Sequence, residues 1–292
     1  MREEQIVHVK RAHAAKMKNG FPLIEKDAVK NSQAFQKEGT LLTLIDEQDR
    51  MIGKGYYGKQ NKGYGWVLTQ RVDEEIDAAF FHRKIREAVG RRAHFFARSE
   101  TTAFRLFNGE GDGIGGLTID YFAEFLLITW YSEGIYTFRE WVLDAIEAEV
   151  GFVGIYEKKR FAKKGSYIED DDFVRGVRGD FPLLIKENGV TYAVDLNDGP
   201  MVGIFLDQRE VRRAIRERYA EGQTVLNTFS YTGAFSIAAA LGGAVKTTSV
   251  DLANRSHAKT VEQFEVNGWS YQPTILSSWT SSATLVTPGR RE

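Results

Sequence analysis

The 292-residue sequence predicts an α/β fold, and three patterns along it carry that prediction. Short apolar runs punctuated by glycine, up to about residue 72, read as the strands of a compact β unit. From Asp73 the apolar spacing switches to the helical period, and helices then alternate with strands. From Leu183 a tight hairpin is followed by strand, helix, strand and helix, the order of a parallel sheet with crossovers. The patterns divide the chain into a β-rich domain (1–72), a mixed α/β middle domain (73–180) and a βαβ domain (181–292).

Each element has a local reason. Thr40–Ile45 is a strand-like apolar run, Asp46–Arg50 a polar turn, and Met51–Tyr57 and Gly65–Thr69 are extended and aromatic. Ile76, Phe80, His82, Ile85 and Val89 lie at helical spacings behind Asp73, Glu74 and Glu75, which suit the positive end of a helix dipole. That helix is expected to run to about Phe96. Phe104–Leu106, Leu117–Tyr121, Phe125–Trp130 and Phe152–Tyr156 read as strands, and Tyr136–Val150 as a helix. Leu183–Val194 is a hairpin, because Asn188-Gly189 favours the left-handed conformations of a type I′ turn. Asp207–Ala220 reads as an amphipathic helix with Val211, Ala214, Ile215 and Tyr219 on its apolar face and Gly222 as its stop. Thr224–Phe229 and Thr247–Val250 are then strands, and Gly233–Leu241 and Asn254–Asn267 helices.

Composition removes several function classes. The chain has no cysteine, so neither a disulfide nor a thiolate metal site can form. His8, His13, His82, His94 and His257 show no metal-ligand spacing, and no metal is expected. The polar N-terminus has no secretory apolar region, and Phe235–Val245 is too short to span a bilayer, so a cytoplasmic protein without membrane contact is expected. The net charge is −1, and a nucleic-acid partner would have to be held by local patches. Two basic clusters offer themselves. One is Lys10, Arg11, Lys16 and Lys18 near Phe21; the other is Lys158, Lys159, Arg160, Lys163 and Lys164 near Phe161. Either could equally be a solvated face.

The chemistry-bearing segment is Val225–Ser236, a strand, a small-polar turn and a helix start. Eighteen residues after Gly233 the next strand ends in Asp251. A carboxylate there is placed to accept hydrogen bonds from two ribose hydroxyls. The turn has one glycine beside the bulky Phe229 and Tyr231, which disfavours the close backbone approach that a pyrophosphate needs, and with it a dinucleotide oxidoreductase. S-adenosylmethionine has no phosphate and fits such a turn. Gly111–Gly116 also satisfies G-x-G-x-x-G, but a strand follows it and Glu110 and Asp112 would repel phosphate; it reads as a tight turn.

"GIFLDQRE", "VLNTFSYTGAFSIAAALGG" and "SVDLANRSHAKTVEQFEVNG" together resemble the family of bacterial large-subunit ribosomal RNA methyltransferases that make 5-methylcytosine. "AFRLFNGEGDGIGGLTIDYFAEFLL" is similar to the hairpin of that family's middle domain, and residues 1–72 more loosely resemble its PUA domain. The resemblance spans residues 1 to about 270. It implies a PUA-like domain, a mixed α/β domain and an incomplete Rossmann-like methyltransferase domain. It further implies that Asn227, Phe229, Ser230, Tyr231 and Gly233 wrap the methionine part of S-adenosylmethionine. Asp251 would hold the ribose, Leu252 would lie beside the adenine, and Gln208 and Arg209 would border the pocket. Ribosomal RNA is the implied partner, gripped by the basic clusters, and a homodimer is compatible with the reading.

The chain departs from the family pattern after about residue 270. The Asp-Pro-Pro-aromatic loop and the cysteine nucleophile are missing, so no catalytic residue can be named. Ser278, Trp279 and Thr280 offer no acid where the third strand should end in one. A premature end or a reading-frame change near Tyr271 is the expectation from this tail. The alternative function is a non-catalytic RNA-binding protein or a degenerate methyltransferase remnant.

Overall fold

A computed structural model of the chain describes residues 4–30, 35, 37–161, 171–270, 274–275, 282–286 and 289–290. Lys163, Lys164, Ser278, Trp279 and Thr280 lie outside the described residues. The chain packs as two compact units: Met1–His94 with Arg105–Arg178, and Phe95–Phe104 with Gly179–Glu292.

The first unit begins with β1 (Glu4–His8), α1 (Arg11–Lys18), β2 (Leu23–Glu25), β3 (Leu41–Ile45), β4 (Met51–Tyr57) and β5 (Gly63–Thr69). The strands form a five-stranded sheet in the order β1-β3-β4-β5-β2, with β1 parallel to β3 and the other pairs antiparallel. Val7, Val9, Met17, Ile24, Leu42, Leu44 and Ile52 close the core beneath it. Gly55 is required by close strand approach, since a Cβ there would stand 2.1 Å from the Trp66 carbonyl oxygen. The polar turn at Asp46–Arg50 is organised by Asp46, which accepts from the N–H groups of Gln48 (2.9 Å) and Arg50 (3.1 Å) and from the Lys18 ammonium (2.8 Å). That ammonium leads the groups holding the Asp46 carboxyl below the usual carboxylate range.

The unit continues with α2 (Ala78–Phe96), β6 (Ala103–Asn108), β7 (Leu117–Phe122), β8 (Phe125–Trp130), α3 (Glu133–Tyr136), α4 (Arg139–Glu149), β9 (Gly154–Lys159) and β10 (Phe173–Gly176). Its second sheet has the order β10-β9-β8-β7-β6, with β8 and β9 parallel. Helix α2 starts five residues later than the expected Asp73. Asp77 caps it by accepting from Phe80 N–H at 2.8 Å, whereas Asp73 pairs with Arg71 outside the helix. The helix predicted from Tyr136 is α4 and starts at Arg139; Tyr136 instead ends the separate single turn α3, which Ser132 caps. The glycine-rich stretch at 111–116 is a tight 3₁₀ turn leading into β7. Asp112 is buried in it and paired with Arg91 and Arg92.

In the second unit β11 (Leu183–Glu187) and β12 (Val190–Val194) form the expected hairpin, with Asn188 and Gly189 at φ 49° and 82°. The Phe95–Phe104 segment fastens it. Thr102 N–H donates to the Lys186 carbonyl, Lys186 N–H to Thr102 Oγ1, Asn188 N–H to Thr101 Oγ1 and Gly189 N–H to the Glu100 carbonyl, at 2.8–3.1 Å. A 3₁₀ turn (Leu206–Gln208), α5 (Arg209–Ala214) and a π-helical turn (Ile215–Tyr219) follow. The predicted apolar face of this helix is kept at Ile215, which packs against Ala220, Ala239 and Ala244, and is corrected at Val211 and Tyr219. Val211 and Tyr219 are exposed, and the buried residue is Arg212, which makes two 2.7 Å bonds to Glu187. A bidentate ion pair has taken the inward position that periodicity assigned to aliphatic side chains.

Strand β13 (Thr224–Thr228), α6 (Ala234–Leu241), β14 (Lys246–Asp251) and α7 (Arg255–Glu265) complete one βαβα run, with β13 and β14 parallel. Then come β15 (Trp269–Ser270), β16 (Thr274–Ile275), β17 (Ser282–Val286) and β18 (Gly289–Arg290). The larger sheet has the order β13-β14-β17-β16, and β17 is antiparallel to both β14 and β16. The expected all-parallel run therefore stops at β14. Strand β16, the first of that sheet after α7, takes the direction of β14 but sits one place further out, because β17 folds back between them. No described helix is long and apolar enough to cross a membrane.

Candidate cofactor site

The turn between β13 and α6 and the tip of β14 meet at one place. Asp251 Oδ2 accepts from Tyr231 N–H at 2.7 Å, and Oδ1 accepts from Ala253 N–H at 2.9 Å. Burial pushes the Asp251 carboxyl up. The N–H groups of Ala253 and Tyr231, then the Ser256 hydroxyl and Leu252 N–H, outweigh it and hold the group below its ordinary value. Tyr231 and Ala253 N–H each take one position, on different oxygens, and the Ser256 hydroxyl and Leu252 N–H lie beside the same carboxylate. An ionised carboxylate at a parallel strand tip fits the ribose of S-adenosylmethionine in its donor and acceptor chemistry.

The turn is built on left-handed backbone at alternate residues: Phe229 at φ 57°, Tyr231 at 55° and Gly233 at 76°. Such conformations cost a non-glycine residue about 1–3 kcal/mol and persist only where the surroundings enforce them. Gly233 has a second constraint, since a Cβ there would come within 2.6 Å of Thr260 on α7. Ser230 is buried and its N–H donates to the Val250 carbonyl at 3.0 Å, which ties the turn to β14. Phe229 is 87 % exposed and Leu252 is 74 % exposed, so both leave an apolar surface at these strand ends.

The other sequence-derived candidates have distinct settings. Asn227 Nδ2 donates to Ser236 Oγ at 3.0 Å, and that oxygen lies 2.6 Å from Ser249 Oγ, which fastens α6 to β13 and β14. Gln208 closes the 3₁₀ turn with its N–H on the Phe205 carbonyl. The Arg209 guanidinium lies 4.6 Å from the Phe95 ring centre and pairs with Glu210.

Sequence reasoning did not find the residues on the far side of the turn. A narrow cleft is bordered by Asp195, Asp198, Gly203, Tyr231, Arg255 and Lys259. Arg255 and Asp198 face each other across it at 4.0 Å. Nothing local in the sequence ties the polar loop Asp195–Asp198 to a turn that begins 31 residues onward at Phe229.

Of the basic clusters, the first lies on and just before α1. Lys16 pairs with Glu25 at 3.0 Å and Lys18 with Asp46 at 2.8 Å, while Lys10 and Arg11 are exposed. His13 also stands 3.4 Å from Glu25 and 3.2 Å from Asp27, a grouping that spacing along the chain did not announce. In the second cluster Lys158 is corrected. Its side chain is 2 % exposed and paired with Asp172, so phosphate cannot reach it. Lys159 lies over the Tyr136 ring, 5.8 Å from its centre, and 3.7 Å from Glu157, and Arg160 is half-buried with its N–H on the Trp130 carbonyl.

Comparison with known proteins finds matches to both ends of the chain. A PUA-like domain model matches residues 7–70, and an S-adenosylmethionine-dependent methyltransferase model matches residues 163–277. A solved structure described as "a putative sam-dependent methyltransferase from Streptococcus mutans" superposes with a TM-score of 0.81 at 38 % identity, covering 90 % of this chain and 67 % of that one. A second, a methyltransferase described as complexed with SAH, gives 0.79 at 37 % identity, covering 91 % and 67 %. These matches place the chain among S-adenosylmethionine-dependent methyltransferases carrying a PUA-like domain.

Among curated proteins, the "Putative ribosomal RNA large subunit methyltransferase YwbD" of Bacillus subtilis (strain 168) is 60 % identical over 270 residues, which is 92 % of this chain and 68 % of that protein. The ribosomal RNA large subunit methyltransferase I of Klebsiella pneumoniae (strain 342) is 32 % identical over 251 residues, 85 % of this chain and 62 % of that protein. The chain belongs to this family of ribosomal RNA large subunit methyltransferases, and it spans about two thirds of the length of these relatives.

Proposed function

We propose that residues 227–233 with Asp251 and Leu252 hold S-adenosylmethionine, and that the substrate is large-subunit ribosomal RNA, with cytosine C5 the position the family methylates. The observation that carries the cofactor reading is the 2.7 Å bond from Tyr231 N–H to Asp251, which joins the turn and the ribose-binding acid at one strand end. The cofactor, when bound, supplies an electrophilic methyl group. Asp251 accepts the ribose hydroxyls, and the turn's main chain and small side chains border the amino-acid tail. Gln208 and Arg209 belong to the same proposal. The division at 1–72, 73–180 and 181–292 is proposed as the functional one, with RNA gripped by the first domain and the cofactor by the third.

Chemistry sharpens the cytosine reading. Methylation at C5 needs a thiolate added to C6, because the ring carbon is not nucleophilic enough unaided. This polypeptide has no cysteine. A polypeptide of this sequence is therefore expected to transfer no labelled methyl to cytosine C5 in ribosomal RNA lacking its native methyl groups, while the Bacillus subtilis relative, run beside it, does. Robust C5 methylation by the cysteine-free chain would refute the thiol argument.

For RNA, an open groove in the first unit is lined by Arg11, Lys18, Gln48 and Arg50 and also by the acids Asp46 and Glu47, so the support for the N-terminal cluster as a phosphate-binding face rests on the exposed Lys10 and Arg11. Replacing Lys10, Arg11, Lys16 and Lys18 with alanine is expected to lower both RNA affinity and the slope of log affinity against log salt. Lys16 and Lys18 are already paired with carboxylates, so the slope should fall by roughly 2, short of the roughly 4 that four phosphate contacts would give. A slope equal to wild type would leave the cluster as a solvated face. Lys159 and Arg160 remain in the proposal as a secondary contact; Lys158 does not.

A further inference from the structure

We propose that Tyr231 and Thr232 form a clasp that fixes the segment Gly203–Arg209 against the β13–α6 turn, and that the same clasp sets the position of Asp251. The inference rests on the cofactor reading above and gives these two side chains a positioning role. It is carried by one peptide unit held on both sides. Gly203 N–H donates to the Tyr231 hydroxyl oxygen at 2.7 Å, and the Gly203 carbonyl accepts from Thr232 Oγ1 at 2.5 Å. The partners are 28 and 29 residues apart in the chain, so these bonds are a tertiary fastening.

The residues around the clasp leave it little freedom. Thr232 is 3 % exposed. Gly203 sits at φ +110°, a conformation L side chains rarely adopt, and a Cβ there would stand 3.2 Å from the Ala193 carbonyl oxygen. The Phe205 ring packs on Tyr231, with ring centres 5.4 Å apart. Tyr231 therefore faces two ways. Its hydroxyl grips the segment leading to Gln208 and Arg209, while its N–H, presented by the left-handed backbone at φ 55°, grips Asp251. A side chain bonded to Gly203 is occupied within the protein. Its effect on cofactor binding passes through the Gly203 segment on one side and Asp251 on the other. The strain of a left-handed tyrosine is retained because both grips depend on it.

The test is calorimetric binding of S-adenosylhomocysteine to the 292-residue chain, for wild type, Tyr231→Phe, Thr232→Val, Thr232→Ser and the Tyr231→Phe/Thr232→Val double variant. Each of Tyr231→Phe and Thr232→Val is expected to weaken binding roughly tenfold, the size of one lost hydrogen bond to a poorly solvated peptide group. Thr232→Ser keeps the hydroxyl and should stay within roughly twofold of wild type. The double variant should fall short of the product of the singles, because both bonds hold one peptide. Exchange of the Gly203 amide should speed up roughly tenfold in Tyr231→Phe, with the global unfolding temperature little changed. Wild-type affinity in both single variants would overturn the clasp and leave the cofactor reading standing. No binding by the wild type would overturn the cofactor reading and the clasp's role in it together, and the Gly203 exchange rates would show whether the fastening itself exists.

Discussion

Replacing Arg212 with alanine is expected to cost the second unit about 3–5 kcal/mol, the usual penalty for leaving one charge of a buried pair without its partner. Both side chains are 2 % exposed. Arg212 Nε and Nη2 each donate to a different oxygen of Glu187 at 2.7 Å, and Nη2 also donates to the Phe205 carbonyl at 2.7 Å. The guanidinium carbon lies 5.4 Å from the Phe235 ring centre and 5.8 Å from that of Tyr192. Alanine removes all of this and strands the Glu187 carboxylate. In a unit of this size the loss should lower the melting temperature by roughly 10–25 °C. Arg212→Lys keeps the charge without the two-pronged geometry and should recover only part of the stability. The Glu187→Leu/Arg212→Met double variant should cost less than either single alanine, because no charge is left buried. A thermal scan of Arg212→Ala within 2 or 3 °C of wild type, a shift worth well under roughly 1 kcal/mol, would contradict this account.

Replacing Asp251 with alanine is expected to weaken S-adenosylhomocysteine binding by roughly 10- to 100-fold, the value of one or two hydrogen bonds from hydroxyls to a charged acceptor. Asp251→Asn, which keeps the shape and one acceptor, should lie between. The pH dependence has a definite sign. The folded carboxyl titrates below its ordinary value, so it is ionised throughout the neutral range. Affinity should be level from neutral pH down through the usual carboxylate range near ~4, and fall only below it as the group protonates. The same group's contribution to stability is present above its unfolded pKa and is lost as pH falls through the lower folded value. Calorimetry at several pH values checks both points. Wild-type affinity in Asp251→Ala would remove Asp251 from the site.

Local chemistry made much of the fold legible. Asn188-Gly189 announced the hairpin, because few pairs tolerate two successive left-handed residues. The approach of the turn to Asp251 followed from strand–turn–helix order, since consecutive parallel strands bring their tips to one end. The failures share a cause in long-range pairing. Val211 and Tyr219 have the right spacing for a core face, yet α5 is rotated to bury Arg212, because Glu187, 25 residues earlier, offers it a bidentate partner. Lys158 looked like part of a solvated basic run, but Asp172 draws it inside. The cleft opposite Asp251 and the clasp on Gly203 join segments about 30 residues apart, and no periodicity reports such a meeting. The exposed start of α2 shows the smaller error: three acids at 73–75 suited a helix dipole, but the residue whose side chain reaches a free N–H is Asp77.

The hairpin's dependence on Phe95–Phe104 has a consequence for the order in which the protein can be made. The residues that receive Lys186, Asn188 and Gly189 leave the ribosome some 84–89 positions ahead of them. At bacterial elongation rates of roughly 5–20 residues per second, Glu100, Thr101 and Thr102 wait about 4–18 s for their partners. Until then this stretch, with the Glu100 carbonyl and the Thr101 and Thr102 hydroxyls, lacks the partners that the hairpin supplies. A fragment beginning at Gly179 would never receive it at all. Such a fragment should be recovered in soluble form only when the 95–104 peptide is supplied in trans or fused ahead of it.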